Sequence, residues 1–309
     1  MNLSNQAVIG VTSRSFSDNL LLRDQLKNIF PNSKFNSSGV TLKNEQLFDF
    51  LADCDAAIMS IEPINLELHQ KCPQLKVISK YGVGIDNIDF DRLNGVIEIL
   101  LSPGTNANAV AELVIGFAIH LLRRIPENQQ VIKDNEWKQI VGNELFGKKI
   151  GVVGCGNIGK RVLELASAFN CLPFYFDTNE DILVDSKYTR LQTLEELFSS
   201  CEIISIHLPL NSTTRNLVDH NLLNYLTEKS IIINLSRGGI INENDLYDIL
   251  FNKKILGAAI DVFETEPSVN NRFNLLNNVI VTPHIGGSSI ESIEKMGQAC
   301  IHNLKNKII

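Results

Sequence analysis

The chain has 309 residues, 44% hydrophobic and 20% charged, which is enough apolar side chain to bury a core and excludes disorder as its dominant character. A formal charge of −7 and the lack of any Lys/Arg block argue against a nucleic-acid or anionic-membrane surface, so an anionic ligand must be held by a few placed cations. The length predicts two domains, and six scattered cysteines without a CxxC pair predict reduced thiols in a cytoplasmic protein.

The N-terminus has no basic segment ahead of a long apolar run. It reads as a first strand at residues 7–11 rather than a secretory leader. Short β-branched runs predict further strands at 56–59, 77–79 and 96–100, with helices at 19–29, 45–51 and 66–71 between them. Residues 106–124 are almost wholly apolar and carry the small residues Ala107, Ala109, Ala111, Gly116 and Ala118. They predict a helix packed closely on another, either inside the core or at a subunit interface. Its most apolar part includes Glu112 and His120 and is too short for a bilayer core of about 30 Å. A second block then offers six strands, at 150–153, 173–176, 203–207, 231–234, 255–260 and 279–282. Helices at 158–169, 194–199, 222–226 and 243–250 fall between them, the last capped by Asn242. Alternating strands and helices with near-continuous Ile/Val strands predict an α/β fold built on parallel sheets. Six strands is also the count of a full dinucleotide-binding fold.

The strand at 150–153 runs directly into Gly154-Cys155-Gly156-Asn157-Ile158-Gly159, and a helix pattern follows at once. In that context GxGxxG has a mechanical reading. The first glycine allows the tight turn, the second lets the backbone approach a pyrophosphate, and the third lets the helix pack on the strand. Asp177 ends the next strand, at the spacing expected of the acid that accepts the ribose hydroxyls, and Thr178 and Asn179 follow it with no adjacent Arg to receive a 2′-phosphate. NAD is therefore predicted over NADP. Cys155 reads as a small tolerated residue of the loop.

Three later strands each end in a polar stretch, where open α/β sheets bind ligands. Asn234-Leu235-Ser236-Arg237-Gly238-Gly239 supplies a cation suited to a carboxylate and a developing oxyanion. Asp261-Val262-Phe263-Glu264-Thr265-Glu266-Pro267 supplies an acid, and Thr282-Pro283-His284-Ile285-Gly286-Gly287 a proton carrier active near neutral pH. After a dinucleotide loop, Arg237, Glu266 and His284 together point to hydride transfer to a 2-oxo acid, with Glu266 holding the imidazole and favouring its protonated form. His207 also ends a strand, and Leu208-Pro209 after it suit the lining of an adenine or nicotinamide pocket. His69, His120, His220 and His302 suggest no role.

These motifs, in this order, resemble the D-isomer-specific 2-hydroxyacid dehydrogenases. The likeness extends to Lys80-Tyr81-Gly82-Val83-Gly84-Ile85-Asp86-Asn87-Ile88-Asp89 and to Asn108-Ala109-Val110-Ala111-Glu112. The resemblance implies two Rossmann-like domains with parallel sheets, the NAD domain (101–286) inserted into a substrate domain (1–100 plus 287–309), and a homodimer formed through the 106–124 helix. It implies that Arg237 orients substrate, His284 carries the proton and Glu266 partners it. It further implies cofactor contacts from Gly154, Gly156, Asn157, Ile158, Gly159, Asp177, Leu208, Pro209, Leu235, Ser236, Asp261 and Gly286. Asp261 would reach the nicotinamide carboxamide, while the amides of Val83 and Gly84 would meet the substrate carboxylate. No metal is implied.

The motifs come nearest to phosphoglycerate-dehydrogenase-type members. Where such members place an Arg after the third strand, however, this sequence has Ser60-Ile61-Glu62-Pro63, and Glu62 would repel a phosphate. Arg14, Lys80 or Lys138 would have to substitute. A chain ending at residue 309 leaves no room for the regulatory domain of longer relatives. The expected function is NAD-dependent dehydrogenation of a small 2-hydroxy acid, D-3-phosphoglycerate among the candidates. A glyoxylate or hydroxypyruvate reductase, or a non-catalytic NAD(H)-sensing protein of the same family, is the alternative.

Overall fold

The computed structural model describes residues 2–269 and 271–308. The chain divides into two compact units. Residues up to Asn106 together with those from Gly287 on form one, and Ala107–Gly286 form the other. The first boundary thus falls after Asn106 rather than after residue 100. The reason lies in the last helix, where Asn303 Nδ2 donates to the Leu101 carbonyl at 3.5 Å and to Ser102 Oγ at 3.0 Å, tying this stretch to the first unit.

In the first unit the elements run β1 (Ile9–Val11), α1 (Arg14–Asp18), α2 (Leu20–Ile29), β2 (Lys34–Phe35), α3 (Glu45–Leu51), β3 (Ala56–Met59), α4 (Leu66–Lys71), β4 (Val77–Lys80), α5 (Phe90–Leu93) and β5 (Glu98–Leu100). The sheet is parallel throughout, in the order β2-β1-β3-β4-β5. Alternate residues of one strand face opposite sides. Ile58 and Val77 therefore join the layer under α1 and α2, while Ala57, Met59 and Ile78 join the layer under α3 and α4.

The second unit contains α6 (Ala107–Leu122), α7 (Ile125–Lys133), β6 (Lys149–Val153), α8 (Asn157–Ala168), β7 (Leu172–Phe176), β8 (Thr189–Arg190), α9 (Leu194–Ser200), β9 (Ile203–Ile206), α10 (His220–Leu223), β10 (Ile231–Asn234), α11 (Glu243–Phe251), β11 (Gly257–Ile260), a 3-10 turn at Arg272–Leu275 and β12 (Val279–Val281). Its seven parallel strands are ordered β12-β11-β10-β9-β6-β7-β8. The strand order reverses between β6 and β9, which is where such sheets open a crevice for a ligand. The six expected strands are present, and the seventh, β8, is a two-residue edge strand too short to leave a pattern in the sequence.

The apolar stretch before β6 packs into the core of the second unit. Val110, Ala111, Val114, Ile115, Phe117, Ala118, Leu121 and Leu122 of α6 are buried, in one cluster with Val162 and Leu163 of α8 and the β6 side chains Ile150 and Val152. The chain then returns to the first unit as α12 (Ile290–Lys305), whose Met296, Cys300, Ile301 and Leu304 pack with Ile9, Leu22 and Leu26.

Candidate active site

The phosphate loop leaves β6 with geometry that fits the group its sequence suggests. Gly154 has φ +89°, a left-handed conformation, and a β-carbon there would lie 2.7 Å from the His207 carbonyl. One at Gly159 would lie 2.0 Å from the Gly154 carbonyl, so neither position accepts a side chain. At Gly156, the exposed cap of α8, nothing lies within 4 Å of that point, and the first turn of the helix carries no acidic side chain. The loop is closed where the chain must fold back and open where a pyrophosphate must approach. Asn157 and Ile158 form the first turn of α8 beside that opening.

Asp177 lies next to this loop. Its Oδ2 accepts the Cys155 amide at 2.7 Å and its Oδ1 the Asn179 amide at 2.8 Å. The sequence shows no arginine next to Asp177, but the fold brings one. Arg190, on β8, bonds the backbone carbonyls of Asp177, Asn179 and Glu180. Burial, with the charge of Asp177, pushes the Cys155 thiol up to about 12, so the cysteine stays protonated and unreactive. Leu208 packs over the loop, its Cδ2 being 2.8 Å from where a Gly154 β-carbon would stand, and Pro209 is held by Thr214 Oγ1 at 2.6 Å from its carbonyl. His207 has a buried Nδ1 without a partner, and its Nε2 lies 2.8 Å from Ser205 Oγ. Burial drops its pKa to about 3, so the ring stays neutral and is no proton donor at physiological pH.

The three expected catalytic side chains all project from the C-terminal edge of the same sheet. Asn234, the last residue of β10, organises the first stretch. Its Oδ1 accepts the Ser236 amide at 3.1 Å and the Ser236 hydroxyl at 2.8 Å, and its Nδ2 donates to the Arg237 carbonyl at 2.9 Å. Leu235 is turned into the hydrophobic core, which leaves Ser236 and Arg237 at the edge. Arg237 Nη1 donates to the Ser236 carbonyl at 2.7 Å. Gly238 brings this stretch against the next, because a β-carbon there would stand 1.9 Å from the Phe263 carbonyl carbon.

Glu266 accepts the Phe263 amide on Oε1 at 3.0 Å, and its Oε2 lies 2.8 Å from His284 Nδ1. Burial alone would raise its pKa. The bonds from His284 and the Phe263 amide, with the charges of His284 and Arg237, outweigh it and hold the carboxyl below its usual range. The same Glu266 bond raises the His284 pKa against burial and against the opposing charge of Arg237. His284 itself has φ +56°, a conformation that costs a non-glycine residue roughly 1–2 kcal/mol. It is fixed there by its amide, which donates to the carbonyls of Asp261 at 2.8 Å and Thr282 at 3.1 Å.

Asp261 directly follows β11, beneath the His284 loop. It is fully buried, and its carboxylate is already bonded to the Thr282 hydroxyl (2.5 Å), the Ile285 amide (2.7 Å) and the Gly286 amide (2.8 Å). Burial raises its pKa against these three bonds. Its structural work is to hold the loop that presents His284, with Gly286 as part of the clasp. Val83 and Gly84 belong to the first unit, in the half-buried turn after β4. In that unit Tyr81 OH lies 3.1 Å from Ser15 Oγ, and Glu62 is buried with Oε2 accepting the Ser60 amide at 2.9 Å.

A phosphate loop, a carboxylate at the end of the next strand and a His–Glu pair beside an arginine on one doubly wound sheet define a nucleotide-dependent oxidoreductase class of site. A family model described as D-isomer specific 2-hydroxyacid dehydrogenase, NAD binding domain, matches residues 115–286. The chain is 34% identical over 271 residues to a D-3-phosphoglycerate dehydrogenase of Methanocaldococcus jannaschii, covering 85% of this chain and 52% of that one. It is 32% identical over 264 residues to a hydroxypyruvate reductase of Thermotoga maritima, covering 83% and 85%. The crystal structure of an NAD+-bound 3-phosphoglycerate dehydrogenase of Entamoeba histolytica superposes with a TM-score of 0.80 at 27% identity, over 97% of this chain and 95% of that one. The chain belongs to the D-isomer specific 2-hydroxyacid dehydrogenase family, and the matched stretch is that family's NAD-binding domain. Its cofactor is NAD, which the open cradle at Gly156 and the carboxylate of Asp177 fit. The chain spans about half the length of the M. jannaschii relative. Among the described residues no helix is long and apolar enough to cross a membrane.

Proposed function

We propose that this chain is an NAD-dependent oxidoreductase that interconverts a small 2-hydroxy acid and its 2-oxo acid. The single observation that carries the reading is the Glu266–His284 pair, which raises an imidazole pKa on the same sheet edge as Arg237 and the phosphate loop. Bound NAD(H) supplies or accepts the hydride. The protein's part is to place a proton and to hold an anion. With Nδ1 bonded to Glu266, His284 uses Nε2 to protonate the developing alkoxide in reduction and to take the proton back in oxidation. Arg237 offers its planar fork to the substrate carboxylate and to the charge that gathers on the carbonyl oxygen. Phosphoglycerate, hydroxypyruvate and glyoxylate are the candidate partners, and the buried Glu62 at the exit of β3 favours a substrate without phosphate.

The pH dependence tests the pair directly. Reduction needs protonated His284, so its rate is full at low pH and falls as pH rises through the raised His284 pKa. Glu266→Gln removes the largest cause of that elevation and is expected to move this limb to lower pH. Steady-state reduction rates across the pH range decide it, and an unmoved limb would contradict the role assigned to Glu266.

We also place the protein in a reducing, cytoplasmic setting, in keeping with six buried free thiols, and propose that it works as a homodimer. The α7 helix buries none of its residues, and the stretch after it exposes Trp137 (92%), Val141 (85%) and Phe146 (69%). Large apolar side chains exposed in this way mark an association surface, and this exposure supports an interface that includes this stretch. Trp137 is the sole tryptophan, so its emission should shift to the red when the protein is diluted, and Trp137→Ser should yield monomers by light scattering. A wild-type mass of one chain at micromolar concentration would rule the dimer out.

A further inference from the structure

Arg190 is half-exposed on the edge strand β8, which pairs Arg190 with Tyr175 of β7. From there its guanidinium reaches back under the turn that follows β7. Nη2 donates to the Asp177 carbonyl at 2.8 Å and the Asn179 carbonyl at 3.4 Å, and Nη1 donates to the Glu180 carbonyl at 3.1 Å. The carboxylate of Asp177 is fixed from the other direction by two amides. One belongs to Cys155 in the phosphate loop, and the other to Asn179 in the turn that Arg190 clasps. The placing of the carboxylate beside the loop therefore depends on a turn that Arg190 clasps at three carbonyls.

On charge alone, an arginine beside Asp177 would welcome a 2′-phosphate and work against the acid. Its bonds to three carbonyls resolve that conflict, because the cation is committed to the main chain while the carboxylate stays presented. We propose that Arg190 is a positioning residue for discrimination between NAD(H) and NADP(H), acting by locking Asp177 in place. The fork geometry matters as much as the charge. A lysine keeps the positive charge, but its donors all leave one nitrogen on a flexible stem and do not reproduce the planar fork that spans three carbonyls. Releasing the clasp lets the carboxylate turn away from the ribose site and frees a cation beside it, and both changes favour the phosphorylated cofactor.

This inference rests on the reading of Asp177 as the acceptor of the ribose hydroxyls, so Asp177→Ala serves as a parallel variant. Dissociation constants for NADH and NADPH are measured by fluorescence titration of the full chain and its variants. Arg190→Lys is expected to reduce the preference for NADH over NADPH by about tenfold or more, and Arg190→Gln, without the freed charge, to reduce it by less. A purely structural role would lower thermal stability and weaken both cofactors in proportion. If Arg190→Lys and Arg190→Gln leave the ratio within about twofold of wild type while Asp177→Ala shifts it, the positioning role is overturned and the ribose reading stands. If Asp177→Ala leaves the ratio unchanged, both fall together.

Discussion

Replacing His284 with glutamine is expected to lower the turnover number by about 10²–10⁴-fold, the usual worth of a positioned acid–base group, with NADH affinity retained. Glutamine keeps a polar side chain of similar reach but cannot carry a proton at neutral pH. The size of the loss follows from how much of the fold is spent on this residue. The Asp261 carboxylate takes three donors of its loop, the backbone is held at a positive φ, and Glu266 fixes the ring through Nδ1. Steady-state turnover with a fluorescence titration of NADH separates the two effects. Near-normal turnover in the variant would remove His284 from the mechanism.

Arg237→Ala is the second large effect. The expected loss in kcat/KM is about 10²–10³-fold, comparable to removal of a placed oxyanion donor, and Arg237→Lys should recover only part of it, since the ammonium lacks the planar fork. The variant also carries a sign that separates it from Glu266→Gln. Arg237's charge lowers the His284 pKa, so removing it should move the basic limb of the reduction rate up, while the loss of Glu266 moves that limb down. A pH profile of Arg237→Ala with its limb at or below the wild-type position would show that the two groups do not interact as described.

The fold was legible where the chain repeats itself. Runs such as Ile231–Asn234 and Ile203–Ile206 are covered on both faces of a parallel sheet, and their unbroken apolar character follows from that burial. The phosphate loop was legible for a different reason, since only glycine fits at Gly154 and Gly159 and each leaves a letter in the sequence. What the sequence hid is tertiary. The edge strands β2 and β8 have two residues each, too few for any period. Arg190 reaches Asp177 across 13 positions of chain, through bonds to main-chain oxygens that leave no side-chain signature. The bonds of the Asp261 carboxylate to Thr282, Ile285 and Gly286 join two strand ends and leave no pattern in the sequence. The stretch around Trp137 carries no periodicity, and its exposure is visible only once α7 is seen to bury nothing.

The central claim is that Arg237, Glu266 and His284 form a working 2-oxo acid reductase site served by NADH. The most direct test is NADH oxidation by the purified chain with phosphohydroxypyruvate, hydroxypyruvate, glyoxylate and pyruvate, each assayed with wild type and His284→Gln in parallel. The account predicts turnover of at least one of these acids by wild type and its collapse in the variant. A protein that binds NADH tightly yet oxidises it with none of them would contradict the account and mark the chain as a nucleotide-sensing member of the family.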